Sequence, residues 1–176
     1  ADTLKIKYIF LVKSGSTPKS SNENFWNGNV IWVTPADLDS NTMYIGSSNR
    51  KITIRGLNSC STEVIPKNNL ILSSRAPIGY ISINKKDLAI NQGCKGLVDI
   101  KENNIIFYYY YLKSIINILN HYGNGTTFSE LSSKTLRNIE TVKYSLKLQN
   151  IISNYINEKV LKIEKLINKN NISIKK

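Results

Sequence analysis

The sequence predicts an α+β protein, in which a curled, mostly antiparallel sheet with flanking helices is followed by one long amphipathic helix. Over residues 1–100 the apolar residues form short runs separated by Gly, Pro, Ser and Asn, a pattern typical of strands joined by turns. Beyond residue 100 the apolar spacing changes to steps of three and four, which indicates helices. We therefore expect a β-rich domain over residues 1–142 and a separate helix over residues 143–176.

Five apolar runs in the first hundred residues are predicted strands. They are Tyr8–Val12, Asn29–Val33, Leu70–Leu72, Tyr80–Ile83 and Gly96–Ile100. The third and fourth runs flank a turn, because Pro77 has no N–H group and disfavours helical angles at Ala76. Strands at this spacing favour a curled sheet that is mostly antiparallel.

Helical spacing begins at Asn104 and continues to Tyr122. Either Asn103 or Asn104 can cap this predicted helix, and Gly123 would end it.

A second, short helix is predicted after the first. Thr127 and Glu130 have the spacing of a capping box, which would start a helix that runs to about Lys134. Residues 136–142 are then expected to return to extended structure.

The last predicted helix begins near Ser145 and carries one apolar stripe. The stripe consists of Leu148, Ile152, Tyr155, Ile156, Val160, Ile163 and Ile167. From Lys143 to Lys176 there are eight lysines against two glutamates, a net charge of +6. A long helix with one apolar stripe needs a partner to be stable. We expect a second long helix from another copy or subunit; the alternative is that the helix folds back on its own domain.

The charge of the chain predicts an anionic partner. There are 24 Lys and Arg against 12 Asp and Glu, a formal net charge of +12, which attracts DNA, RNA or an anionic membrane surface. No apolar run is long enough to cross a bilayer. Cys60 and Cys94 form no CxxC pair, and residues 1–3 show no secretion signal. We expect a reduced, cytoplasmic setting and no insertion into a membrane.

Residues suited to catalysis are few. His121 is the single histidine, and Cys94 follows Asn91-Gln92-Gly93 in a way that only superficially resembles a cysteine nucleophile. No phosphate-binding loop and no S-adenosylmethionine motif occurs in the sequence. We therefore expect no catalytic residue, no metal site and no bound cofactor, and a small hydrolase that uses Cys94 is a disfavoured alternative.

Polar and basic groups cluster at the predicted turns and strand ends. Hydroxyl, amide and guanidinium groups are those that contact phosphate oxygens and base edges, although Ser, Thr and Asn also build turns. The candidates for DNA contact are Lys13, Ser16, Thr17, Lys19, Ser74, Arg75, Asn91, Gln92, Lys95, Asn124, Thr126 and Thr127.

Several motifs, taken in order, resemble the target-recognition domain of type I restriction-modification specificity subunits. The motifs are Ser14–Pro18, Phe25–Trp26, Ile31–Leu38, Ser73–Ile81, Ala89–Gly93, Tyr108–Ser114, Gly123–Phe128 and Lys134–Ile139. One departure is that Glu140–Gln149 contains no proline, whereas the family usually has a Pro-rich stretch there. The resemblance implies a DNA target-recognition domain over residues 1–142 and a spacer helix over residues 143–176.

The resemblance also implies partners. A full specificity subunit carries two such halves, whose long helices pack antiparallel, and each half reads half of a split DNA site. Modification subunits then bring S-adenosylmethionine and methylate adenine, and a restriction subunit can join them. For a chain with one half, this implies a homodimer through the last helix. The alternative is a helix-mediated assembly module with non-specific or no DNA binding.

Base readers are expected outside the shared motifs, because the motifs occur in family members that read different sequences. The segments 19–29 and 39–55 are the places to look. The candidates within the second segment are Asn41, Asn49, Arg50, Lys51 and Arg55.

Overall fold

A computed structural model describes residues 2–123 and 129–174. In chain order the elements are β1 (Asp2–Lys5), β2 (Phe10–Ser14), β3 (Trp26–Val33), β4 (Tyr44–Ile45), β5 (Arg50–Ile52), α1 (Ile54–Asn58), β6 (Leu70–Ser73), β7 (Ile81–Asn84), β8 (Ala89–Ile90), β9 (Cys94–Asp99), α2 (Ile105–Ser114), α3 (Ile116–Gly123), α4 (Ser133–Asn138), β10 (Glu140–Lys143) and α5 (Leu146–Ile174). The predicted α+β class is confirmed, and each of the five predicted strands overlaps an observed strand.

A five-stranded sheet with the order β2-β9-β6-β7-β4 forms the centre of the domain. Its neighbouring strands are antiparallel except for β4, which runs parallel to β7. Leu70, Leu72 and Leu97 on β6 and β9 are completely buried. They belong to an apolar core that also contains Phe107 and Tyr108 of α2, so the helix covers one face of this sheet.

A three-stranded sheet with the order β5-β3-β8 lies beside it. β3 pairs antiparallel with β5 and parallel with β8, and its pairing with β5 is interrupted by a bulge between Trp26 and Val30. The register sets Trp32 opposite Arg50 and Ile31 opposite Lys51. Because neighbouring side chains of a strand point to opposite faces, Arg50 and Lys51 lie on opposite faces of this sheet.

A two-stranded pairing of β1 with β10 joins the two ends of the domain. Its register runs from Asp2 opposite Lys143 to Lys5 opposite Glu140. This pairing was not predicted from the sequence, and it fixes the segment that leads directly into α5.

The predicted helix over residues 104–122 is two helices. Asn104 caps the first, because its Oδ1 accepts a hydrogen bond from the Phe107 N–H at 3.0 Å. The chain leaves helical geometry at Ile115. Gly79 has a φ of +93°, and a Cβ atom there would lie 2.7 Å from the side chain of Ile116. Ile116, the first residue of α3, therefore packs closely on this turn directly after the break at Ile115.

The predicted capping box at Thr127 and Glu130 is wrong. Thr127 lies outside the described residues, and Glu130 forms an extended bridge with Arg75 instead of a helical turn. The short helix is α4, and Ser132 caps it by accepting a hydrogen bond from the Thr135 N–H at 3.0 Å. Residues 136–138, which were predicted to be extended, therefore belong to this helix.

The first turns of α5 pack on the domain through polar groups. Gln149 is 2% exposed; its Oε1 accepts from the Asn104 N–H at 2.8 Å, and its Nε2 donates to the Tyr144 carbonyl at 2.9 Å. Further along, the Tyr110 hydroxyl donates to Asn157 Oδ1 at 2.7 Å. Folding back on the domain, the alternative considered for this helix, therefore describes its N-terminal part.

The predicted apolar stripe of α5 divides between covered and open positions. Ile152, Ile156 and Val160 are half-buried, whereas the exposed members are Leu148, Tyr155, Ile163 and Ile167. Leu161 and Leu166 are exposed as well. The apolar surface of α5 therefore extends beyond the part that its own domain covers.

Candidate nucleic-acid interface

Two turns that are far apart in the sequence lie side by side. The turn Ser14–Lys19 contacts the turn Asn91–Lys95, where the Ser16 N–H donates to the Ile90 carbonyl at 3.1 Å and the Thr17 hydroxyl donates to Gln92 Oε1. A Cβ atom at Gly15 would come within 2.1 Å of the Ile90 carbonyl oxygen. Glycine at this position therefore permits the close approach of the two turns.

A pair of tryptophans supports the first of these turns. The rings of Trp26 and Trp32 pack edge to face, with centroids 5.3 Å apart. The Trp32 indole N–H donates to the Ser16 carbonyl at 3.0 Å, and that of Trp26 donates to the Lys19 carbonyl at 3.3 Å. The guanidinium carbon of Arg50 lies 3.7 Å from the Trp26 ring centroid. Arg50 is thereby held next to the turn Ser14–Lys19.

A third turn, Ser73–Gly79, completes the surface. The Gly93 carbonyl accepts hydrogen bonds from the N–H groups of Ser74 at 2.8 Å and Arg75 at 3.3 Å. The turn itself is closed by the Ser73 hydroxyl, which donates to the Pro77 carbonyl at 2.6 Å. We call the three turns 14–19, 73–79 and 91–95 the turn cluster.

Glu130 forms ion pairs with two basic side chains of the turn cluster. Its Oε2 accepts from Arg75 Nε and Nη2, each at 2.9 Å, and its Oε1 lies 3.6 Å from Lys95 Nζ. The side chain of Lys95 is nearly buried, and this burial lowers its pKa, while the charge of Glu130 acts in the opposite direction. Glu130 therefore occupies two of the three nitrogen atoms of Arg75 and partly neutralises Lys95.

The structure brings together most of the residues that the sequence proposed for DNA contact. Those in or against the turn cluster are Ser16, Thr17, Lys19, Arg50, Ser74, Arg75, Asn91, Gln92 and Lys95. Next to Arg50, the Asn49 N–H donates to Asp37 Oδ1 at 2.7 Å.

Within the turn cluster the side chains differ in exposure. Ser74 and Lys95 are buried, so neither side chain offers a surface to DNA in this conformation. Asn91 Oδ1 accepts from the Gly93 N–H at 2.9 Å, which is a turn-building contact. Lys19 and Gln92 are exposed.

Four predicted residues lie apart from these contacts. Lys13 Nζ pairs with Glu63 at 2.6 Å, and the Asn41 N–H donates to Asp39 Oδ1 at 2.6 Å. Lys51 lies on the face of β5 opposite to Arg50, and Arg55 is exposed on α1. The other predicted residues, Asn124, Thr126 and Thr127, lie outside the described residues.

A second basic surface was missed by sequence reasoning. Lys51 lines an open groove with Lys67, Lys85 and Lys86, and Asp87 is the acidic residue among the groove-lining residues. We call this surface the lysine groove. The consecutive pair Lys85-Lys86 in the turn after β7 was a visible signal, but only the fold shows that it meets Lys51.

Cys94 does not fit the role of a nucleophile. It is completely buried, and burial raises the pKa of its thiol to about 12. Because the thiolate is the reactive form, this cysteine is protonated at neutral pH and packs in the core. Within residues 2–123 and 129–174 no group of three or more His, Cys, Asp or Glu residues is arranged to hold a metal ion. In the same part of the chain, no helix has the length and apolar character needed to cross a membrane.

A family model described as the type I restriction modification DNA specificity domain matches residues 2–175. The chain belongs to this family, which confirms the family predicted from the motifs. It is 38% identical over 143 residues to the type I restriction enzyme MjaIX specificity subunit of Methanocaldococcus jannaschii, a match that covers 79% of this chain and 33% of that protein. It is 27% identical over 131 residues to the HindI specificity subunit of Haemophilus influenzae, covering 73% and 28%.

Solved structures agree in fold. A chain from a type I R-M system superimposes with a TM-score of 0.77, covering 94% of this chain and 39% of that one. The HsdS subunit from Thermoanaerobacter tengcongensis superimposes with a TM-score of 0.72, covering 94% and 38%. Both are 18% identical in sequence, so they establish the fold alone. The chain spans about a third of the length of the curated relatives that it matches.

Proposed function

We propose that this chain is a sequence-specific DNA-binding subunit of a type I restriction-modification system, in which it reads one half of a bipartite site. The observation that carries the proposal is the turn cluster, in a chain that belongs to a family of DNA specificity domains. Groups that are scattered from Ser14 to Lys95 in the sequence lie on one continuous surface. That surface carries the donors and acceptors that contact phosphates and base edges.

Exposed groups of the turn cluster would make the first contacts with a duplex. Lys19, Arg50 and Gln92 are exposed there, and a lysine or arginine that neutralises a phosphate releases a bound counterion. Affinity for DNA should therefore fall as salt increases. The net charge of +12 adds a long-range attraction for the duplex.

The chemistry on DNA would belong to partner subunits. Cys94 is buried and protonated, and His121 stands exposed on α3, so neither supports a catalytic role. We propose that modification subunits bring S-adenosylmethionine and methylate adenine where this chain directs them, in the cytoplasm, and that a restriction subunit can join. The chain itself would hold no cofactor.

The second half of α5 would join two copies of the chain. We propose a target-recognition domain over residues 1–142 and a dimerisation segment over residues 143–176, in which Lys143 ends β10 and the helix α5 begins at Leu146. The exposed Leu161, Ile163, Leu166 and Ile167 support this division, because their domain leaves them uncovered. Two identical readers related by a twofold axis would meet identical half-sites. We therefore expect a bipartite and palindromic recognition site.

The double variant Ile163→Glu with Ile167→Glu tests the dimer. Both side chains are more than half exposed, so the domain should keep its stability, while burying two carboxylates in a helix pair should be strongly unfavourable. Sedimentation of the full chain should show a dimer for the wild type and a rise of at least about 100-fold in the dimer dissociation constant for the variant. The matched control Lys165→Glu, which lies between the two positions and changes the charge by the same amount, should remain dimeric. A monomeric wild type at high concentration would contradict the dimer.

Methylome sequencing tests the function itself. A host that carries this chain and its modification subunit should gain methylated adenine in one bipartite motif with identical halves. If the chain is instead a helix-mediated assembly module, methylation should not follow any motif, and the affinity of the purified chain for DNA should be indifferent to sequence. A motif with two unlike halves would support DNA reading and contradict the homodimer.

A further inference from the structure

The four arginines of the chain occupy different environments. Arg75 pairs with Glu130, and Arg137 Nη2 donates to the Val12 carbonyl at 2.9 Å. Arg55 is exposed on α1. Arg50 stacks on an aromatic surface, with its guanidinium carbon 3.7 Å from the Trp26 ring centroid and 5.7 Å from that of Trp32. Only Arg50, among the described arginines, is both stacked on indole rings and exposed.

The surface under Arg50 is rigid. Trp26 and Trp32 are 8% and 3% exposed, and each indole N–H donates to a backbone carbonyl of the turn 14–19. They pack in a buried cluster with Ile52 and Ala89. Buried, closely packed rings with satisfied N–H groups have little room to reorient. The plane of the guanidinium group is therefore set before any ligand arrives.

The backbone at Arg50 is fixed as well. The Ser48 hydroxyl donates to the Arg50 carbonyl at 2.6 Å and accepts from the Trp32 N–H at 3.1 Å. Both ends of the side chain, its Cα atom and its guanidinium group, are thus held in place.

The edge of the Arg50 guanidinium group is open. Stacking uses the face of the group, and within the described part of the chain no acceptor bonds to its N–H groups. A guanidinium group has five N–H donors in a fixed fork, and two of them match O6 and N7 of guanine in the major groove. Fixing an arginine in advance also removes much of the loss of side-chain entropy that binding would otherwise entail.

Phosphate binding explains this arrangement less well. An arginine fork can also bind a phosphate through two N–H groups, but the exposed Lys19 in the neighbouring turn already supplies a positive charge for that role. A base contact requires the plane of the fork to match the plane of the base pair. We propose that Arg50 reads a guanine in each half-site and determines specificity at that position, an inference that rests on the proposed function.

Selection from a randomised duplex pool tests this assignment. The wild type, Arg50→Lys, Arg50→Ala and the matched control Arg55→Ala, an exposed arginine on α1 outside the turn cluster and the lysine groove, would each be assembled with the modification subunit. The wild type should enrich guanine at one position of each half-site. Arg50→Ala should lose that preference by about 5- to 150-fold and keep the rest of the motif. Arg50→Lys should also lose part of it, though a smaller part, because an ammonium group lacks the planar fork. Arg50→Lys should keep the salt dependence of binding, because its charge is retained.

Each possible result either supports or contradicts the role of Arg50 as a guanine reader. A weaker Arg50→Ala that keeps the whole motif, with affinity restored by Arg50→Lys, would mean a phosphate contact and would overturn it. A motif that both variants leave unchanged would overturn it and leave the proposed function standing. A wild-type pool with no preferred sequence would overturn the proposed function together with the inference. Thermal unfolding of Arg50→Lys, whose side chain is exposed, verifies that the domain remains folded.

Discussion

The two faces of strand β5 carry different kinds of basic side chain. On one face Arg50 is stacked on Trp26, above two buried indole rings. On the other face Lys51 stands at an open groove with Lys67, Lys85 and Lys86. A single step along the strand therefore separates a planar, fixed guanidinium group from a group of flexible ammonium ions.

The difference teaches how one small sheet can serve two needs of a DNA reader. A guanidinium group held in one plane can distinguish a base, because recognition depends on the direction of its N–H bonds. Lysine ammonium groups are point charges on long stems and attract phosphates whatever the sequence. We expect the Arg50 face to contribute specificity and the lysine groove to contribute affinity.

Truncating Trp32, one of the two indole rings under Arg50, should have the largest effect on both stability and sequence preference. Trp32→Ala would delete a side chain that is 3% exposed, together with its hydrogen bond to the Ser16 carbonyl. Large-to-small changes of this kind cost about 3–5 kcal/mol. We expect a loss of that size in the free energy of unfolding, measured by urea denaturation, together with the loss of the motif in pool selection.

Trp32→Phe is the matched control for this change. It keeps a buried aromatic ring but is smaller and leaves the Ser16 carbonyl without its donor, so it should lose about 1–3 kcal/mol, less than Trp32→Ala. Equal stability of Trp32→Ala and the wild type would contradict the idea that a tightly packed tryptophan pair supports Arg50.

Neutralising the lysine groove should have the second-largest effect, which is on the salt dependence of DNA affinity. The triple variant Lys51→Gln, Lys85→Gln and Lys86→Gln should reduce the slope of log affinity against log salt by about 0.9 for each phosphate that is no longer neutralised, and thus by up to about 2.7. The preferred sequence should stay the same. Affinity measured on one specific and one scrambled duplex over a range of salt concentrations checks this. A changed motif, or an unchanged salt slope, would show that the two faces do not divide the work in this way.

The side chain of Lys95 is nearly buried within the turn cluster. Its contribution to the free energy of unfolding should depend on pH. Burial lowers its pKa below the usual 10.5, so the unfolded chain binds more protons within the window between the two values. The destabilising contribution is complete below the lowered pKa and disappears as pH rises to about 10.5. Lys95→Met should therefore be more stable than the wild type at neutral pH, and the gap should narrow as the pH approaches 10.5. Urea denaturation at several pH values measures the gap, and a constant gap would contradict this origin.

The smallest expected effect is the reaction of the buried thiol of Cys94, which lies in the core behind the lysine groove. Cys94 packs there in a buried cluster with Ile31 and Val33, whereas Cys60 is partly exposed. Treatment of the native chain with iodoacetamide should modify Cys60 alone, as seen by mass spectrometry of peptides, and urea should make both react. Rapid modification of Cys94 in the native chain would mean that this core opens easily.

Local patterns in the sequence predicted most of the regular structure. The predicted runs Leu70–Leu72 and Tyr80–Ile83 overlap the strands β6 and β7 on either side of Pro77, and α5 begins one residue after Ser145. These features depend on neighbouring residues, such as apolar spacing and the missing N–H group of proline, and such signals are visible in a sequence.

Features that depend on distant contacts were not predictable. The break at Ile115 occurs where the next residue, Ile116, packs against the distant Gly79, and no glycine or proline marks it in the helical sequence. Glu130 had suitable spacing for a capping box, but its side chain pairs with Arg75. The sequence likewise named Arg50 as one candidate among several, because its stacking on Trp26 depends on the register and bulge of β3 with β5.

Photocrosslinking is the most direct test of DNA reading by the turn cluster in a dimer of this chain. A photoreactive amino acid would replace either Lys19, an exposed residue of the turn cluster, or Ile163, an exposed residue of α5. In the complex with the modification subunit and its specific duplex, we predict that position 19 crosslinks to DNA and position 163 crosslinks to a second copy of the chain. A complex that forms on the duplex while position 19 gives no DNA adduct would contradict the proposed interface.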